Sequence, residues 1–172
     1  MKYKHTEISG LLIFEGFLFN DIRGELVKPF SSKNIIDLDI NLNFKETWFT
    51  KSKKNVIRGM HLQVGNMACE KFVSVISGSV VDIILDVRKN SNTYGKFFEI
   101  ELTSNNPKSL YIPKGCAHGY KVLESDTITM YMATEFHSSD HDLGYRWDSF
   151  GYNWNISDPI ISERDKNLEA FN

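Results

Sequence analysis

The chain has 172 residues, 41% hydrophobic and 24% charged, a globular composition that excludes a wholly disordered or membrane-embedded chain and gives enough length for one domain with a sizeable core. Twenty lysines and arginines against twenty-two acids leave a net charge of −2, so nothing global draws the chain to nucleic acid or an anionic membrane. Cys69 and Cys116 stand far apart with no Cys-x-x-Cys spacing, which argues against a disulfide framework or zinc knuckle and reads as two buried thiols in a reducing compartment.

Near the N-terminus the apolar run Leu11-Leu12-Ile13-Phe14 is broken by Glu15, too short for a signal-peptide core or a membrane span, so the expectation is a soluble cytoplasmic protein. Helical periodicity is weak except at Ser31 to Leu38 and in the polar tail after Ser162. The middle of the chain is written in strands. Lys71 to Ser77, then Gly78, then Ser79 to Val87 read as two strands joined by a turn, the second with Val81, Ile83, Leu85 and Val87 opposite Asp82 and Asp86. Residues 96 to 103 set Phe98, Ile100 and Leu102 against Phe97, Glu99 and Glu101; Ser104 to Pro107 is a turn, and Leu110 to Ile112 a short strand. Tyr120 to Glu124 and Thr127 to Phe136 flank Ser125-Asp126 as a predicted hairpin, whose second strand separates Ile128, Met130 and Met132 from Thr127, Thr129 and Tyr131. With no linker or repeat, the reading is one mainly β domain over residues 1–172: a sandwich, jelly roll or barrel whose polar inner face turns Tyr131 into a pocket.

Ile112-Pro-Lys-Gly-Cys-Ala-His-Gly119 contains Pro-x-Gly-x-x-His and resembles the second motif of the cupin jelly rolls. His61-Leu62-Gln63 stands where a metal cupin has His-x-His, so one histidine remains in each segment and the expectation is no metal. Asp21-Ile-Arg-Gly24, Arg58-Gly-Met-His61, Lys71, Val80 to Arg88, Ser91-Asn-Thr-Tyr-Gly95, Leu110 to Gly119, Tyr131, Arg146-Trp-Asp148 and Pro159 to Asp165 resemble, in this order, the dTDP-4-dehydrorhamnose 3,5-epimerase family. The resemblance runs from about Gly10 to Asp165. It implies a cupin-like jelly roll with short peripheral helices, no cofactor, a homodimer exchanging N-terminal strands, and a 4-keto-6-deoxy sugar nucleotide on the way to a surface deoxysugar of capsule or lipopolysaccharide.

Carried over residue by residue, the family pattern makes His61 the general base and Asp165 its orienting partner. Tyr131 is the proton donor on the opposite face, Lys71 and Arg58 surround the carbonyl that becomes an enolate, and Arg23 reaches the diphosphate in the neighbouring subunit. The chemistry asks for such a set. Removing a hydrogen beside a ketone needs a fixed cation for the charge that spreads onto oxygen, a base near neutral pH, and a second proton source for inversion. Each residue also has a structural alternative: His61 a satisfied strand histidine, Lys71 a strand flank, Tyr131 an interior filler, His118 a buried group bonded to Asp82 across the barrel. Arg58 would point away from His61 in a regular strand, which a bulge at Gly59 would resolve.

The chain departs from the family pattern at the nucleotide end. Leu26 and Lys28 stand where the family has an aromatic and an acid, and Glu46 and Trp48 where it has Gln and Asn. The family's Asp-Tyr-Tyr is here Glu135-Phe136-His137, so Phe136 lacks a hydroxyl. These departures leave open a GDP-linked 4-keto sugar, a heptose, or inversion at C3 alone. The wider alternatives are a metal-dependent cupin oxygenase and a jelly roll that binds a sugar nucleotide without turning it over.

Overall fold

The alternation along residues 71–133 becomes two facing antiparallel sheets in the computed structural model, which describes residues 2–34, 38 and 40–172. The strands in chain order are β1 (Lys2–His5), β2 (Leu12–Glu15), β3 (Phe17–Asp21), β4 (Gly24–Lys28), β5 (Glu46–Ser52), β6 (Ile57–Gln63), β7 (Lys71–Ser77), β8 (Ser79–Asp86), β9 (Phe97–Thr103), β10 (Lys108–Ile112), β11 (Cys116–Val122), β12 (Thr127–Ala133) and β13 (Asp142–Gly144). One sheet runs β1-β2-β10-β7-β12-β5 and the other β13-β6-β11-β8-β9; β3 and β4 pair only with each other. This is a mainly β jelly roll.

The expected hairpin at Ser125-Asp126 is not one, and the turn at Gly78 does not pair its strands either. Gly78 joins β7 to β8 and Ser125-Asp126 joins β11 to β12, but in each case the two strands belong to different sheets. The turns are sharp, with positive φ at Gly78 and Asp126, and they carry the chain across the barrel so that both strands keep an inward face. Boundaries also move. β10 begins at Lys108 and β11 at Cys116, while β12 ends at Ala133 because side chains of other elements take up the backbone of residues 136–138. Helix is sparse. Ser32–Asn34 form one 3-10 turn and Glu163–Lys166 one α turn, α1; of the stretch 31–38 read as helical, residues 35–37 lie outside the described residues.

Alternation sorts the side chains into three cores. Between the sheets lie Val73, Val75, Val80, Ile84, Leu102 and Leu110; Ile83, Leu85, Met60 and Leu62 face outward under Phe150 and Trp154 of the C-terminal segment. Leu12, Phe14, Phe72 and Tyr111 form the third, covered by Phe30, Leu42 and Phe44. Phe14 and Phe72 are fully buried, each worth about 2–3 kcal/mol of transfer free energy. With both outer faces covered, the inward face has room for polar residues. Thr127, Thr129 and Tyr131 take it, while Ile128, Met130 and Met132 turn outward, as the alternation predicts.

Candidate active site

The register between β6 and β11 slips by one residue: His61 stands opposite His118, but Arg58 stands opposite Tyr120. The extra residue in β6 is the expected bulge, and it turns Arg58 and His61, three apart, to the same side. Two glycines permit it. Gly59 has φ +128°, and a Cβ there would lie 2.4 Å from the Gly119 Cα; a Cβ on Gly119 would lie 2.6 Å from the Met60 sulfur. Backbones this close leave no space for a side chain at either position.

His61 is half-buried at the base of a cleft of about 670 Å³. Its Nε2 is 2.8 Å from Asp165 Oδ1, and the other carboxylate oxygen accepts from the Gly59 amide at 3.2 Å. Asp165 sits in α1, whose first turn is capped by the Ser162 hydroxyl accepting from the Asp165 amide at 3.1 Å. Burial works to raise the Asp165 pKa, but the His61 hydrogen bond and charge, with the Gly59 amide, outweigh it and hold the carboxyl below its ordinary value. An ionised carboxylate can only accept. His61 Nε2 therefore carries the hydrogen, and Nδ1 is left as the basic atom.

Lys71, at the start of β7, lines the same cleft with its Nζ 3.5 Å from the His61 carbonyl. Burial lowers its pKa, against the opposing influence of Cys69 and Asp142. A lysine donor beside a base is suited to meet charge developing on a carbonyl oxygen. Behind this front lies a second polar layer. His118 Nε2 is 2.9 Å from both Asp82 oxygens, and the Tyr120 hydroxyl is 2.8 Å from Thr50 Oγ1. His118 and Asp82 lie on the adjacent strands β11 and β8, not across the barrel. Tyr131 is 6% exposed, edge-on to His118 at 5.9 Å, with Trp48 stacked on it at 5.1 Å. Burial raises its pKa, and Tyr120 and Asp82 push the same way. Tyr131 thus faces the interior but is roofed by Trp48, where the sequence has it looking straight into the pocket.

A match to the family model of dTDP-4-dehydrorhamnose 3,5-epimerase extends over residues 5–172. The chain belongs to the dTDP-4-dehydrorhamnose 3,5-epimerase family. A curated relative of that name from Shigella flexneri is 34% identical over 169 residues, 96% of this chain and 93% of the relative. The crystal structure of a dTDP-4-dehydrorhamnose 3,5-epimerase from Bacillus anthracis with TDP and PPi bound superposes with a TM-score of 0.93 at 31% identity, covering 99% of this chain and 100% of the other. A dTDP-6-deoxy-D-glucose-3,5-epimerase from Legionella pneumophila in complex with dTDP-4-keto-L-rhamnose gives 0.92 at 28% identity, covering 98% and 92%. Like these epimerases, the protein is an enzyme of the isomerase class with a cupin-like jelly roll.

As an epimerase-family site, the cleft gathers His61, Lys71, Glu46 and Trp48 on its walls, with Asp165, Tyr131 and His118 behind them. Arg58 is turned to Ser52, its Nε 3.2 Å from the hydroxyl. Phe136 stands half exposed beside the cleft with the Lys45 ammonium 5.4 Å from its ring centroid. Arg23, Leu26 and Lys28 are on the exposed β3–β4 hairpin, where Arg23 pairs with Asp21, and the chain does not bring them to its own cleft. Both thiols are buried; Cys69 lines the cleft, and burial pushes Cys116 up to about 12. No group of three or more His, Cys, Asp and Glu suited to a metal is present among the described residues.

Sequence reasoning missed the cleft rim. Gln63, read only as a missing metal ligand, donates to the Met67 and Phe136 carbonyls and accepts from the Ser138 amide. Its spacing of two from His61 on one strand was the available signal. Asp142, bonded to Arg164 at 2.8 Å, and the Lys45–Glu135 pair at 2.6 Å carry no local signal, since their partners are remote in sequence.

Proposed function

We propose that the protein is a cofactor-independent 3,5-epimerase of a nucleotide-linked 4-keto-6-deoxy sugar, with dTDP-4-dehydrorhamnose epimerisation as its type reaction. The observation that carries this is the His61–Asp165 pair at 2.8 Å, opening beside Lys71 into a cleft. His61 Nδ1 removes the hydrogen next to the C4 ketone, the electron pair moves onto the carbonyl oxygen, and Lys71 meets the resulting charge. Asp165 holds the ring and favours the imidazolium that forms. Tyr131 returns a proton from the opposite face, with His118 behind it in the interior. Replacing Tyr131 by Phe should lower inversion at least tenfold while deuterium still enters at the base's face; parallel loss of both would remove Tyr131 from this role.

The substrate's diphosphate is negative, yet Lys45 on the cleft wall is engaged by Glu135, and Arg164 by Asp142. Every residue of β3 and β4 is exposed, including Phe17, Phe19 and Leu26, which supports a homodimer that exchanges these strands. In that dimer Arg23 gives up its exposed pair with Asp21 and binds phosphate bidentately in the neighbour's site. A subunit with Arg23→Ala mixed with one bearing His61→Ala should recover up to half the activity per dimer. No recovery from folded dimers would place the phosphate contacts within one chain.

A second reading, GDP as the nucleotide, is favoured by Leu26, Lys28, Glu46 and Trp48, which change size, charge and hydrogen-bonding type where the family reads its handle. Comparing turnover of dTDP- and GDP-linked 4-keto sugars decides between the two. The setting proposed is the cytoplasm, in a route to a deoxysugar of the cell surface.

A further inference from the structure

After β12 the chain continues along the cleft wall, through Glu135 and His137, as a loop whose backbone is held by side chains of β5 and β6. Gln63 donates to the Phe136 carbonyl at 3.1 Å, Glu46 Oε2 accepts from the His137 amide at 3.0 Å, and Gln63 Oε1 accepts from the Ser138 amide at 2.6 Å. A loop fixed at three consecutive residues presents the middle one in a defined place. That residue is His137, and its side chain lines the same cleft as His61 and Lys71. Its Nε2 lies 3.4 Å from Asp142 Oδ2, and Asp142 is in turn held by Arg164, the neighbour of Asp165. Asp142 pairs in register with Gln63, and Gly144 with His61, so β13 carries this carboxylate along the edge of the catalytic strand. The cleft therefore holds a second histidine–carboxylate pair, on its rim, where the related pattern has a tyrosine.

We propose that His137, oriented by Asp142, is a second acid–base residue of this cleft, serving one of the two carbons that flank the ketone. The inference rests on the epimerase reading. Inversion at two carbons needs protons returned at two places, and Tyr131 is a single donor fixed under Trp48. In the proposed step His61 Nδ1 has taken the C–H proton and left an enolate. The His137 imidazolium, with Nε2–H directed at Asp142, gives its Nδ1 proton to that carbon from the other face; the enolate electrons re-form the C=O bond, and neutral His137 regains a proton from water at the open rim. The groups around it are Asp142, Glu46, the Lys45–Glu135 pair and, deeper in the cleft, Lys71 and His61. They leave the carboxylate of Asp142 as the partner nearest the ring.

The test uses full-length His137→Gln, which keeps a donor toward Asp142 but transfers no proton, and His137→Ala, both with a dTDP-linked 4-keto-6-deoxyhexose in deuterated water. Inversion at one of C3 and C5 should fall at least about a hundredfold in both variants, with inversion at the other carbon within about threefold of wild type and KM little changed. Asp142→Asn should lower inversion at the same carbon by a smaller factor. Inversion at both carbons unchanged, or reduced in parallel, overturns the proposal. Wild-type protein in the same experiment reads the underlying activity separately: exchange in wild type with unselective variants fails His137 alone, and no exchange in wild type fails both.

Discussion

Two histidine–aspartate pairs stand side by side in this barrel, His61 with Asp165 and His118 with Asp82, and the two histidines are partners in register on β6 and β11. Their environments push the carboxylates in opposite directions. Asp82 is fully buried, and burial raises its pKa in spite of His118. Asp165 is also buried, but two donors, His61 and the Gly59 amide, hold it ionised. The histidines differ in access: His61 is half-buried and opens to the cleft, while His118 is 5% exposed under Tyr131. Residue type is thus a poor guide to role. What separates His61, the proposed base, from the buried His118 is the charge state its carboxylate keeps and its access to the cleft.

The largest expected break in this comparison comes from the two alanine variants. His61→Ala should reduce proton exchange at the sugar carbons at least about a thousandfold and cost about 1 kcal/mol in unfolding free energy, because the buried Asp165 carboxylate loses one donor but keeps the Gly59 amide. His118→Ala should weigh more on stability: it leaves Asp82 buried with no partner and should cost about 3 kcal/mol in denaturant unfolding. Equal stability losses in the two would dissolve the distinction. Next comes Asp165→Asn, which keeps the imidazole but loses the charge that favours its protonated form; a drop of about a hundredfold in kcat with little change in KM is expected, read by steady-state kinetics.

The smallest effect is in pH. Asp165 has a folded pKa below its unfolded value, so the stability it adds is present above the unfolded carboxylate pKa of about 3.9 and is lost as pH falls through the folded value. Asp82 has the opposite shift, so its contribution is present below about pH 3.9 and is lost as pH rises through the raised value. Urea midpoints between pH 3 and 8 should therefore show Asp165→Asn losing its penalty toward acid and Asp82→Asn losing its penalty toward acid's other side, nearer neutrality. Slopes of the same sign in the two differences would contradict the assignment.

Much of this arrangement was legible in residue patterns, and the parts that were not have a common cause. Inward and outward faces of β8, β9 and β12 follow from period-two alternation, which is local. The bulge at Gly59 could be inferred because Arg58 and His61 could not otherwise share a face. Sheet membership is not local: nothing in Ser125-Asp126 tells a hairpin turn from a crossing between sheets, and the expected hairpin failed there. The rim failed for the same reason. Gln63, Asp142 and His137 act through the Phe136 carbonyl, Arg164 and the Glu46 carboxylate, partners that only the folded chain brings near. Trp48 was legible as a departure from the family pattern, but its place over Tyr131 came from the pairing of β5 with β12.

The central claim is that a cofactor-free His61–Asp165 pair deprotonates the carbons flanking a ketone. Protein treated exhaustively with a chelator, incubated with a dTDP-linked 4-keto-6-deoxyhexose in deuterated water and followed by NMR, tests it most directly. The account predicts deuterium at both C3 and C5 with wild-type protein and almost none with His61→Ala. Wild-type exchange that vanishes on chelation, or equal exchange in the His61 variant, would contradict it.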